Sequence, residues 1–159
     1  MAPIISTIEV ARSADDVFAY VTDPSRMPEW QQGVTSGRLD GTGVGSRCTT
    51  TRKIGGAQRE VVTEITEDDP PRRWADHGLE GPIRAVVSVS IDPVEGQARS
   101  RLTIEVDFEG HGIGKLLVPL MVRPQARREM PGNMRRLQER LESGGAQAPR
   151  APGTTSPLS

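Results

Sequence analysis

The scarcer side chains that carry catalysis are few in this 159-residue sequence. His77 and His111 are the two histidines, Cys48 is the one cysteine, and Arg52, Arg59 and Arg84 fall in strand-like runs. His77 follows Asp76, which suggests an acid–base pair, but adjacent residues of a strand face opposite sides. His111 stands between Gly110 and Gly112. An imidazole titrating near neutrality suits proton transfer there, and a loop-capping histidine is the plainer alternative. Cys48 lies beside Arg47, and a neighbouring cation favours the thiolate; a lone strand cysteine otherwise packs as a small apolar residue. An arginine facing an enclosed space would be a fixed cation able to hold a carbonyl, enolate or carboxylate. Strand parity decides which arginines do so, and the sequence leaves it open. Trp30 and Trp74 are the largest apolar side chains, fit either for a core or for a pocket wall.

Other chemistries are absent as patterns. No HxxxH, CxxC or HExxH spacing occurs, so no metal site is expected. There is no G-x-S-x-G nucleophile elbow. Gly41-Thr42-Gly43-Val44-Gly45-Ser46 lacks the last glycine of a dinucleotide loop and precedes a strand. Gly110 to Lys115 departs from a phosphate loop at Glu109 and Leu116; both stretches read as turns. The arginines near the C-terminus are diluted by Glu129, Glu139 and Glu142 and have no interleaved aromatics for base stacking. With a net charge of −1, no nucleic-acid partner and no bulk attraction to anionic lipid are expected. The longest apolar stretch, Leu116 to Val122, is far short of the ~20 residues that cross a bilayer, so no membrane insertion is expected. The N-terminus shows no export signal, and with one cysteine this predicts a cytoplasmic location.

These residues must be positioned by a single domain. Residues 143–159 read S-G-G-A-Q-A-P-R-A-P-G-T-T-S-P-L-S and predict a disordered tail, leaving one folded unit over 1–142. Residues 4–11 predict a strand. Ser13 with Asp16 three positions on resembles a capping box and opens a short helix stopped by Asp23-Pro24. Strand-like runs follow at 33–39, 46–54, 57–66, 72–78, 83–91 and 98–108, separated by Gly- and Pro-rich turns. The last alternates Leu102, Ile104, Val106 and Phe108 against Arg101, Thr103, Glu105 and Asp107, the pattern of an antiparallel strand with one wet face. The period then changes to three and four, predicting a long helix over about 113–142 with bends at Pro119, Pro124 and Pro131. The layout is α+β, and a curved sheet closed by one amphipathic helix leaves room for a small ligand.

The run Ile8 to Pro24, then Met27-Pro28-Glu29-Trp30, Gly43-Val44-Gly45-Ser46-Arg47, the Glu67 to Arg73 corner and Phe108 to Gly112 resemble the START-like superfamily called SRPBCC, in its polyketide cyclase/dehydrase-like branch. The resemblance spans about residues 4–142. It implies a helix-grip fold, also described as Bet v 1-like: a curved antiparallel sheet of about seven strands around a long C-terminal helix, with an apolar cavity between. It implies binding of a polyketide-like or other apolar molecule, with cofactor-free aldol-type cyclisation or dehydration if the protein is an enzyme. The alternatives are a non-catalytic lipid or isoprenoid carrier, and a stress or interaction protein with a vestigial cavity. The expected catalytic set is Arg52, Arg84, His77 and His111. The expected ligand-facing set is Trp30, Cys48, Thr50, Trp74, Val86, Ser88, Leu117 and Met121. No cofactor is expected, and the chain is expected as a monomer or homodimer.

Overall fold

The computed structural model describes residues 2–54, 56–94 and 98–143. Of the tail expected over 143–159, Ser143 is an exposed turn residue and the remainder lies outside the described residues. Strand β1 (Ile4–Val10) leads to helix α1 (Ala14–Val21) and a 3-10 turn (Pro24–Glu29). Six strands follow: β2 (Val34–Asp40), β3 (Arg47–Ile54), β4 (Ala57–Asp69), β5 (Arg73–Gly78), β6 (Ile83–Val94) and β7 (Arg99–Gly110). The chain ends in helix α2 (Gly114–Leu117), a π segment (Val118–Val122) and helix α3 (Arg123–Glu142).

All seven strands form one curved antiparallel sheet in the order β1-β7-β6-β5-β4-β3-β2. Each of β2 to β6 pairs with its successor, and β1 closes the other edge against β7, with Ile8 opposite Leu102. Register shifts in β2 near Val34 and in β4 near Ile65 are irregularities of the kind that bend strands and deepen a sheet's curl. Ser13 caps α1 by accepting the Asp16 N–H, as its spacing predicts.

One face of the sheet packs against the helices. Val10, Leu102, Ile104, Val89, Ile91, Trp74 and Ile65 point to it and join Val17, Phe18 and Val21 of α1 with Met134, Leu137 and Leu141 of α3 in one core. The alternation read in β7 is therefore correct: its apolar residues face inward and Arg101 outward. The prolines act less uniformly than expected. Pro119 lies in the π segment, where the Arg123 N–H donates to the Val118 carbonyl five residues back. Pro124 follows directly, in the first turn of α3, where the helix continues unbroken from the π segment. Pro131 sits inside α3, which nevertheless runs on to Glu142.

Two glycines let backbones meet. A Cβ on Gly37 would lie 2.2 Å from the Pro24 carbonyl oxygen, and one on Gly114 would lie 1.8 Å from that of Pro82. The first brings the 3-10 turn down onto β2; the second seats α2 on the turn before β6.

Candidate functional site

The inner face of β3, β4 and β5 carries the polar groups of the interior. In an antiparallel sheet, directly opposed residues share a face. Cys48 lies opposite Thr63, Thr50 opposite Val61, and Ile65 opposite Asp76. Asp76 in turn opposes Val87 of β6, an inward residue. Cys48, Thr50, Arg52, Thr63 and Asp76 therefore form one polar patch beneath α3, bordered by Trp74, Val87 and Val89.

Asp76 is the centre of that patch. It is only 5% exposed, and the Thr63 hydroxyl donates to its Oδ2 at 2.7 Å. Its Oδ1 is buried and has no hydrogen-bond partner. Burial pushes the carboxyl up to about 6, against the opposing pull of the Thr63 hydrogen bond and the Arg52 charge. Arg52 donates from Nε to Thr50 Oγ1 at 3.1 Å, and its two terminal nitrogens make no hydrogen bond among the described residues. Desolvation holds its pKa below the ordinary arginine value, while Asp76 is the strongest opposing influence. The two charges feel each other yet form no ion pair within 4 Å among the described residues. A half-buried guanidinium and a buried carboxylate oxygen thus lie on one face of the sheet without pairing. Cys48 beside them is buried, and its thiol is pushed up to about 11, first by burial and then by the Asp76 charge. The nearby cation does not outweigh those effects, which favour the neutral thiol over the nucleophilic thiolate.

Trp30 belongs to the core that adjoins this face. It ends the 3-10 turn, is buried, and its indole Nε1–H has no partner. Arg136 of α3 donates to its carbonyl at 3.1 Å, and Asn133 accepts the Gln32 N–H at 3.0 Å. Both bonds tie α3 to the segment that carries Trp30.

The expected residues divide by strand parity. Arg52, Cys48, Thr50 and Trp74 share the inner face, with Trp30 beside it. His77, Arg84, Val86 and Ser88 lie on the outer face, because Asp76, Ala85, Val87 and Val89 take the inner positions. His77 there meets Glu109 (Nε2 to Oε2, 3.1 Å), and His111 approaches the same oxygen at 3.6 Å. His77, through its hydrogen bond, is the main influence holding the Glu109 carboxyl below its usual range. Leu117 is half-buried, and Met121 points into solvent. Asp76 and Thr63 are not marked by any sequence motif, and Asp76 enters the sequence argument only as the neighbour of His77. The usable signal was that Trp74 and Asp76 share parity, so a tryptophan in the core carries the aspartate in with it.

Enclosure changes along the inner face. Val10, Leu102, Ile91, Leu137 and Leu141 are sealed at 0–1% exposure. Val87, Val106, Phe108 and Met130, toward the start of α3, are only partly buried. Solvent therefore reaches the apolar wall beside the Asp76 patch from that end. A separate open groove of about 570 Å³ on the outer face is lined by Arg72, Arg73, Ser90, Asp92, Thr103 and Glu105. Its mixed charges and hydroxyls are unlike the apolar chamber that the resemblance implies.

Residues 1–142 match the model of a family described as polyketide cyclase / dehydrase and lipid transport. No curated protein matches the sequence. Solved structures share the fold. The Zhui aromatase/cyclase of Streptomyces sp. R1128 superposes with a TM-score of 0.74 at 15% identity, over 92% of this chain and 96% of that one. A START superfamily protein of Mycobacterium smegmatis gives 0.71 at 18% identity, over 90% and 99%. A conserved protein of Geobacillus kaustophilus gives 0.67 at 20% identity, over 88% and 95%.

Proposed function

The chain belongs to the polyketide cyclase / dehydrase and lipid transport family, and on that premise we propose that it holds a small apolar molecule between the sheet and α3 and moves a proton on it with Asp76. The observation that carries the reading is the unpartnered, buried Asp76 Oδ1 in the field of Arg52. A ligand oxygen lodged between them would accept from the guanidinium, while a C–H or O–H beside it would meet the carboxylate. This suits enolisation: Asp76 removes a proton next to a carbonyl, and Arg52 holds the enolate oxygen. A carboxyl titrating near 6 is mostly ionised at neutral pH and a stronger base than an ordinary aspartate. Aldol-type ring closure or dehydration follows from the same two groups once a folded chain brings its second carbonyl close. Val87, Val89, Val106, Phe108 and Met130 supply the apolar wall. No cofactor is needed for these steps.

Native mass spectrometry of the freshly purified protein tests the binding half: a retained apolar molecule is expected, and reduced retention in Arg52→Met. Deuterium exchange into the α-position of α-tetralone, followed by NMR, tests the proton-transfer half. Exchange above the buffer rate, rising as pH passes about 6 and lost in Asp76→Asn, is expected. Exchange equal to the buffer rate in the wild type overturns the proton-transfer half. A molecule retained equally by wild type, Asp76→Asn and Arg52→Met, with no exchange, would make the protein a carrier.

A further inference from the structure

The stretch joining β7 to the body of α3 differs chemically from the rest of the surface. Ile113, Leu116, Leu120 and Met121 are 65%, 64%, 71% and 62% exposed. A single exposed leucine needs no explanation, whereas four large apolar side chains within nine residues form a patch. The same stretch is basic. From Gly110 to Arg128 the chain holds Lys115, Arg123, Arg127 and Arg128 and neither Asp nor Glu, with Glu109 and Glu129 standing just outside its two ends, within a protein of net charge −1. Arg123 is buried and committed: it donates to Asp107 Oδ1 at 2.7 Å and to the Ala2 carbonyl. Lys115, Arg127 and Arg128 are exposed and form no ion pair among the described residues. The support is firm. Gly114 presses on Pro82, the His111 N–H donates to the Pro82 carbonyl at 2.8 Å, and Arg123 pins the start of α3 to β7. The apolar side chains are thus presented outward on a fixed base.

We propose that this ridge docks the protein on an anionic lipid surface, with Ile113, Leu116, Leu120 and Met121 entering the boundary between headgroups and acyl chains and Lys115, Arg127 and Arg128 lying against lipid phosphates. Apolar side chains flanked by cations are the combination that holds a helical segment in a membrane interface. Charge decides against a second copy of the chain as the occupant, because pairing ridge to ridge would bring like cations together. It also decides for an anionic surface over a neutral one. No described helix is long and apolar enough to cross a membrane, so the contact is peripheral. The proposal stands on the surface alone and does not depend on the ligand reading.

Co-sedimentation of the full chain with phosphatidylcholine vesicles, with and without one quarter phosphatidylglycerol, tests it. Binding to the anionic vesicles is expected, with little to the neutral ones and a marked fall in 0.5 M salt. Removing each cation, as in Lys115→Gln or Arg127→Gln, should weaken binding about fivefold. Leu116→Asp with Leu120→Asp should abolish it while the melting temperature stays within about two degrees, since both side chains are on the surface. Failure to bind anionic vesicles overturns the proposal. So does binding that survives the double aspartate variant, or a dimer that this variant dissociates in a protein that ignores vesicles. An acidic protein that binds the ridge while the vesicles do not would equally overturn it.

Discussion

At the scale of single residues, Asp76 determines both stability and chemistry. Its folded pKa of about 6 lies above the ordinary aspartate value of 3.8 because burial disfavours the charge. Between those values the folded protein binds more protons than the unfolded chain. Its contribution to stability is therefore full below about pH 4, declines as pH rises through 6, and stays low above. The loss corresponds to about 2–3 kcal/mol. Asp76→Asn keeps an acceptor for the Thr63 hydroxyl and removes the charge. Denaturant melts should show the variant more stable than wild type at pH 8, with the difference closing by pH 4; a variant less stable at pH 8 would contradict the account. Cys48 supplies a second, cheaper check. With its thiol near 11 and its side chain sealed, a thiol reagent at pH 7.5 should react only as fast as the protein opens. Stoichiometric labelling of the native protein within seconds would show that the sulfur is exposed or ionised.

At the scale of elements, the site depends on how the 3-10 turn is held over the sheet. Pro24 rests on Gly37 of β2, where a Cβ would collide with the Pro24 carbonyl. Gly37→Ala should force the turn outward, costing about 1–3 kcal/mol and loosening Trp30. The loss should appear as a lower melting temperature together with a red-shifted tryptophan emission; unchanged values for both would mean the turn does not bear on β2. How much of this was legible follows from the physics of each element. Period-two alternation exposed β7, and the Ser13 cap exposed α1, because both signals are local. Asp23-Pro24 correctly ended the first helix. The inner-face assignment of Arg52, as against Arg84 and His77, was not legible. A one-residue error in strand register inverts every side chain, and the irregularities near Val34 and Ile65 arise from pairing that no single strand reveals. The π segment was equally hidden: Pro119 signals a disturbance, but a missing N–H does not by itself say whether the helix breaks or widens.

At the scale of the whole molecule, the two ends of α3 carry different duties, and this sets where mutations should hurt. Toward its C-terminal end, Leu137 and Leu141 are at 0% exposure, packed in the same core as Val10, Val17 and Leu102. Toward its start, Met130 is only partly buried and adjoins the half-open wall of Val87 and Val106. Truncating a sealed leucine removes its transfer free energy and leaves a cavity that close-packed neighbours refill poorly. Leu137→Ala should therefore cost about 3 kcal/mol and leave affinity for an apolar dye such as 1-anilinonaphthalene-8-sulfonate nearly unchanged in the folded protein. Met130→Ala removes a side chain already touching solvent on one side, so its cost should stay near 1 kcal/mol. Its larger effect should be on the dye, whose contact area the methionine provides. Paired denaturation and dye titrations on the two variants read both quantities at once. If Met130→Ala proves the more destabilising and Leu137→Ala the more damaging to dye binding, the sealed and open ends have been assigned the wrong way round, and the ligand space beside Asp76 must be sought elsewhere in the fold.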